Sequence, residues 1–258
     1  MTLPRLILEK INKHFPGKGN EPVVALDNVS LTVNAGEYVC LLGRSGSGKS
    51  TLLSVVAGLE SPDSGKMLVD GQPVSGPDRS RMLMFQEAAL FPWLDVRDNV
   101  LYGLNLLDKL TQSERLELAN EYIEMVGLTR FRHFRIHELS GGMRQRTALA
   151  RALAPNPEML LMDEPFSALD AMTREQLYAD MQRIWTETGK TILMVTHNVR
   201  EAVCVGSRIV LMEAPGKIVG DETVSLPYPR SMNDPELAKA AAAISSLLPQ
   251  SDRGGAGL

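Results

Sequence analysis

The sequence predicts an α/β fold: a mixed sheet with an antiparallel β subdomain, and an inserted α-helical subdomain. Three observations lead there. Met159–Met162 and Thr191–Val195 read as buried apolar strands, separated by a helical stretch over residues 171–188. Two strands joined through a helix pair in parallel. Residues 3–42 instead alternate as strands with one apolar face do, with Leu6, Leu8 and Ile11 followed by Val29, Leu31 and Val33. Residues 95–133 change period: Leu101, Leu104, Leu107 and Leu110, then Leu116, Ala119, Ile123 and Val126, recur at helical spacing.

Taken in order, Asn34-Ala35-Gly36-Glu37 is expected to be a hairpin turn between two of the early strands. The apolar stretch Glu37–Leu42 runs into Gly43-Arg44-Ser45-Gly46-Ser47-Gly48-Lys49-Ser50, which fits G-x-x-x-x-G-K-[ST], and Thr51–Ala57 then reads as a helix. Glycines let backbone N–H groups turn inward around a polyphosphate, and the helix N-terminus adds about half a positive charge. Lys49 can reach the β- and γ-phosphates and the Ser50 hydroxyl can ligate Mg²⁺. The expected core is therefore that of a P-loop NTPase, with Gly43 to Thr51 as the nucleotide-binding segment.

Lys66–Val74 reads as a second hairpin, turning at Asp70-Gly71. Ser140-Gly141-Gly142 precedes a strong helix from Met143 to Leu153, a second helix start suited to an anion. The strand at Met159–Met162 ends in Asp163-Glu164, at the sheet edge where ligands of open α/β folds sit. Asp163 can hold Mg²⁺ through water, and Glu164 can orient or deprotonate an attacking water. Ala238–Leu248 reads as a short helix, and residues 251–258 as a disordered tail.

With 258 residues, 44% hydrophobic and 22% charged, the chain can bury a full core as one large domain or two lobes. No apolar run approaches the ~18–20 residues of a membrane helix. The N-terminus carries no charged-then-apolar signal, which predicts a protein that stays in the cytoplasm. Cys40 and Cys204 lie in apolar contexts and read as buried free thiols. A net charge of −4 without a long basic run argues against nucleic acid as the main partner.

Leu139-Ser140-Gly141-Gly142-Met143-Arg144-Gln145 resembles the signature of ABC-type ATPases. The resemblance runs over roughly residues 3–228, with the motifs in the family's order. It implies that Ser140, Gly141 and Gly142 face the γ-phosphate of ATP held by another subunit. Gln86 matches the glutamine loop, which contacts Mg²⁺ and the lytic water. Ser167-Ala168-Leu169-Asp170 matches the loop crossing the dimer interface, and His197 the switch histidine on the γ-phosphate. Phe15 aligns with the aromatic residue that stacks on adenine, where many relatives carry Tyr; a core aromatic is the other reading. Ile136 stands where relatives often carry Pro. The resemblance implies one ABC ATPase domain over 1–228, with core and β subdomain in 1–86 and 159–228 and the helical subdomain in about 87–158. Residues 229–258 form a C-terminal extension.

Two such chains, identical or paralogous, are expected to sandwich two ATP molecules head to tail. Three roles are compatible with that motor: the ATPase subunit of a membrane importer, a soluble ATPase acting on DNA, and a ribosome-associated factor. About ninety residues separate Lys49 from Ser140, too few for the long coiled coil of chromosome-organising relatives, and one cassette is present rather than a tandem pair. The importer reading places the chain on the cytoplasmic face of the membrane, against permease subunits and indirectly a periplasmic binding protein. Leu90-Phe91-Pro92-Trp93-Leu94 would suit a groove receiving a short helix from a membrane subunit, or would fill the helical subdomain's core. This segment, Thr196–Val203, Ala214–Ile218 and Leu226–Arg230 are together similar to the nitrate, sulfonate and taurine importer subgroup.

Overall fold

The computed structural model describes residues 4–17, 21–105, 107 and 110–248. Two sheets share the apolar residues. In the smaller, β1 (Pro4–Phe15), β2 (Val23–Asn34), β4 (Ser64–Val69) and β5 (Gln72–Pro73) lie antiparallel in the order β2-β1-β4-β5. In the larger, β3 (Tyr38–Gly43), β6 (Arg81–Met84), β7 (Met159–Asp163), β8 (Thr191–Thr196), β9 (Arg208–Glu213) and β10 (Lys217–Thr223) take the order β10-β9-β3-β8-β7-β6. All its neighbours are parallel except β10 against β9.

Both faces of the larger sheet are covered, which is why its central strands read as unbroken apolar runs. Val39, Leu41, Leu161, Leu193 and Val195 point to one side, into a core shared with the smaller sheet and with α1 (Lys49–Ala57). Cys40, Leu42, Leu160, Met162 and Met194 point to the other. There the core includes α2 (Val96–Leu104), α3 (Gln112–Met125), α4 (Gly141–Leu153), α5 (Ala171–Thr188), α6 (Val199–Val205) and α7 (Pro235–Leu247). The alternation along each strand sorts every second residue to the same core. Cys40 and Cys204 are buried and unpaired, as their contexts predict.

The parallel pairing through a helix is observed: β7, α5 and β8 follow one another, with Leu160 opposite Ile192. The hairpin at Asp70-Gly71 is also observed, with φ of 49° and 75° at the two turn residues. The expected hairpin at Asn34–Glu37 is corrected. Glu37 N–H donates to Asn34 O at 3.2 Å, so a turn is present, but β2 and β3 belong to different sheets. All six residues of β3 are buried, and its partners are β8 and β9. A strand needed on both faces cannot remain paired in the half-exposed sheet.

The helical period over 95–133 resolves into α2, α3 and a 3₁₀ turn at Thr129–Phe131, and is corrected at Leu107 and Leu110, which lie between α2 and α3 and belong to neither helix. Thr111 starts α3 afresh: its hydroxyl accepts from Glu114 N–H while the Glu114 carboxylate accepts from Thr111 N–H, a reciprocal cap. The C-terminal helix begins at Pro235, three residues earlier than the periodicity suggests, because Asp234 caps it and proline suits its first position. Residues 251–258 lie outside the described residues. Among the described residues, no helix is long and apolar enough to cross a membrane.

Candidate functional site

Parallel pairing puts the ends of four strands on one edge of the larger sheet. Leu42 lies opposite Thr196, Val195 opposite Asp163, and Met162 opposite Met84. The segments that follow those residues are the phosphate loop, His197, Glu164 and Gln86. Residues more than a hundred positions apart thus become neighbours through backbone register alone.

The phosphate loop turns between β3 and α1. Gly48 has φ of 88° and a Cβ there would come within 2.3 Å of Ala25 O, so no other residue fits. Ala25 belongs to β2, two residues beyond Val23, whose backbone pairs with Phe15. Phe15 is therefore brought near the loop by the smaller sheet. It is half-buried, with Lys13 Nζ 5.1 Å from its ring centre, and does not belong to either core. Lys49 is buried and curls over the loop, donating to Gly43 O at 2.8 Å and Arg44 O at 2.7 Å. Burial lowers its pKa, partly offset by the carboxylates of Glu164 and Asp163. Ser50 Oγ donates to Asp163 Oδ1 at 3.0 Å, and burial pushes the Asp163 carboxyl up against that bond.

Glu164 sits at φ of 42°, a backbone conformation costing a non-glycine residue about 1–3 kcal/mol. Its N–H is fixed by Val195 O at 3.1 Å. Its Oε1 lies 3.1 Å from Nδ1 of His197, and the His197 ring is mostly exposed. Gln86 joins through Ser167: Nε2 donates to Ser167 Oγ at 3.2 Å, and that hydroxyl donates to Glu164 O at 2.9 Å. Leu42, Gly43, Arg44, Ser45, Glu164 and His197 line one open cavity of about 500 Å³, and Leu248, just past α7, lies on its rim.

Ser140 is not part of this group. It caps α4, its Oγ accepting Met143 N–H at 3.3 Å, and shares no hydrogen bond with the phosphate loop among the described residues. Gly142 lets α4 meet α5, since a Cβ there would lie 2.1 Å from Thr173 Cγ2. Asp170 caps α5 by accepting Thr173 N–H at 3.0 Å. By hydrogen bonding among the described residues, the nucleotide candidates thus fall into two sets, with the Ser167–Asp170 loop between them.

The segment after Gln86 forms an exposed aromatic cluster. Phe91 stacks with Trp93 at 5.4 Å and with Tyr102 at 4.4 Å, while Trp93 is 68% and Tyr102 47% exposed. The core reading of Trp93 is thereby corrected: its ring packs on Phe91 at the surface. Two residues not identified from the sequence hold this segment. Asn99, fully buried on α2, accepts Phe91 N–H at 2.9 Å and donates to Phe91 O and Asp95 O. Arg151 on α4 donates to Ala88 O and Ala89 O and lies 5.5 Å from the Phe91 ring centre. A polar Asn three residues after the core-facing Val96 was the readable signal, because a buried amide must find partners. Arg151 gave none.

The family model described as "ABC transporter" matches residues 26–167. The nitrate import ATP-binding protein NrtD of Synechocystis sp. is 46% identical over 253 residues, covering 94% of each chain. The taurine import ATP-binding protein TauB of Roseobacter denitrificans is 42% identical over 214 residues, covering 83% of this chain and 80% of its own. Among solved structures, the dimeric cassette MJ0796 in a post-hydrolysis state bound to ADP and Pi superposes with a TM-score of 0.74 at 33% identity, over 86% of this chain and all of that one. Such identity over nearly the whole length, on a sheet edge built this way, means that the chain belongs to the ABC transporter family and is one of its ATP-hydrolysing cassettes.

Proposed function

We propose that the chain powers a membrane importer by closing, as a dimer, around two ATP molecules. The observation that carries this reading is the division of the nucleotide candidates by hydrogen bonding: Lys49, Ser50, Asp163, Glu164, Gln86 and His197 gather on one sheet edge, and Ser140 bonds to none of them among the described residues. A site divided in this way is completed by the Ser140-Gly141-Gly142 turn of a second chain. Lys49, released from Gly43 O and Arg44 O, binds the β- and γ-phosphates, the loop amides from Gly43 to Thr51 cradle them, and Phe15 stacks on the adenine. Asp170 belongs to the loop that meets the second chain. Ser50, Asp163 and Gln86 offer oxygen donors of the kind Mg²⁺ takes, with the phosphates completing the set; a hydroxyl bonded to a carboxylate fits that role. Bound there, the ion would offset the charge of the phosphates.

Glu164 takes a proton from the attacking water as its oxygen bonds to the γ-phosphorus, and the bond to the β-phosphate oxygen breaks. His197, beside Glu164, contacts the departing phosphate. The family domain spans 1–228, with about 87–158 as the helical subdomain and 229–258 as an extension, whose helix α7 buries Leu237, Ala241 and Ile244 and packs on α6. Phe91, Trp93 and Tyr102 meet a permease subunit at the cytoplasmic face of the membrane. A periplasmic binding protein serves the same importer. The relatives named above favour a small anion such as nitrate, a sulfonate or taurine as solute. They leave the alternative of a soluble ATPase acting on DNA or the ribosome without support.

Glu164→Gln tests the reading. General-base removal should slow hydrolysis about 10²–10⁴-fold while ATP drives a stable dimer, read by size-exclusion chromatography. Brisk turnover in that variant would remove Glu164 as the base.

A further inference from the structure

We propose that Glu201 is a positioning residue for hydrolysis: its buried carboxylate ties α6, the helix that begins at the Thr196-His197-Asn198 turn, to α5, so that His197 faces the nucleotide. The proposal rests on the roles assigned above to His197 and Glu164. Glu201 is only 5% exposed and lies on α6, which starts two residues after His197. Its Oε2 accepts the Tyr178 hydroxyl at 3.0 Å. The Thr196 hydroxyl accepts Asn198 N–H at 3.0 Å, and Asn198 Oδ1 accepts Glu201 N–H at 3.2 Å. The turn carrying His197 thus runs directly into the first turn of α6, which Asn198 caps and the Glu201 carboxylate ties to Tyr178.

Its outer connection runs through α5. Tyr178 belongs to that helix, and so does Arg174, which donates to Leu169 O at 2.7 Å in the Ser167–Asp170 loop. Between these groups is a small cavity of about 80 Å³, walled by Glu164, Ser167, Arg174, His197 and Glu201 among others. Among the described residues, the buried Arg174 Nε makes no hydrogen bond. Burial pushes the Glu201 carboxyl up, while Thr196, Tyr178, Arg174 and His197 counter it. An apolar side chain would fill the position with no such cost, which points to a task for the charge beside the His197 turn.

Glu201→Gln keeps the volume and removes the charge; Tyr178→Phe removes one donor. Glu201→Gln should lower kcat for ATP hydrolysis about 10–100-fold, as small misplacements at a reacting centre do, and leave KM within about twofold. In a His197→Ala background the same substitution should change nothing further, because its effect passes through His197. If His197→Ala alone keeps the wild-type rate, the underlying assignment of His197 fails and the Glu201 proposal falls with it. If His197→Ala is slow but Glu201→Gln keeps wild-type kcat, or multiplies the loss in the double variant, the positioning role alone is overturned. Should Glu201→Gln not fold, Tyr178→Phe and its double variant with His197→Ala decide by the same criteria.

Discussion

The nucleotide edge of the larger sheet and the aromatic segment after Gln86 are adjacent, yet they are held by different means. At the edge, the backbone ladder does the positioning: Leu42, Thr196, Asp163 and Met84 sit in register across four parallel strands, and the chemical groups follow them. In the aromatic segment, side chains do it. Asn99, Arg151 and Arg135, whose Nη1 donates to Trp93 O at 2.8 Å, grip main-chain oxygens of a loop that lies outside both sheets. A ladder is shared by many residues and resists any one change. A loop held by three side chains follows whatever moves α2 and α4. The contrast suits a machine whose chemistry stays fixed while its contact surface shifts, with Gln86 and Ser167 between the two.

Substitutions can break that comparison, and the largest effect belongs to the ladder side. Lys49→Ala removes a buried cation over the phosphate loop, and ATP affinity should fall about 100-fold or more in a fluorescent-nucleotide titration. An affinity that survives would mean that the loop amides alone hold the phosphates. On the other side, Trp93→Ala should weaken co-purification with a membrane subunit by about 30-fold in affinity, the size of an aromatic hot spot, while nucleotide binding stays intact. A general loss of folding in that variant would contradict its surface position.

The smallest effect sharpens the ladder side. Burial lowers the Lys49 pKa, so its charge is fully present below that lowered value and disappears as pH rises through it. ATP affinity, measured by titration at increasing pH, should therefore begin to fall before an exposed lysine, near pH 10.4, would lose its proton. Bound phosphate charge opposes that loss, so the decline should be clearest at low nucleotide concentration. An affinity flat through that range would assign the binding energy to the amides.

Much of the edge was readable because each motif is local. Gly43–Ser50, Asp163-Glu164 and Thr196-His197 each follow a short apolar run, and such runs end where a buried strand ends. The Asn34–Glu37 turn shows where that reasoning stops. Its residues specify a reversal of the chain, and nothing within four residues says whether the strands on either side pair or part. Glu201 was equally hidden: on a seven-residue helix, a lone carboxylate beside Ala202 and Val203 reads as a solvent-facing residue.

By itself the sequence determined the parallel pair β7 and β8, the Asp70-Gly71 hairpin, the helical insertion, the phosphate loop and the carboxylate pair, because periodicity and turn chemistry act over a few neighbouring residues. Only the tertiary structure decided which strands share a sheet, that Trp93 faces outward while Asn99 goes inside, and that Glu201 stands behind His197. Those outcomes depend on which surfaces are left to be covered once the rest of the chain has packed, and no local stretch carries that information.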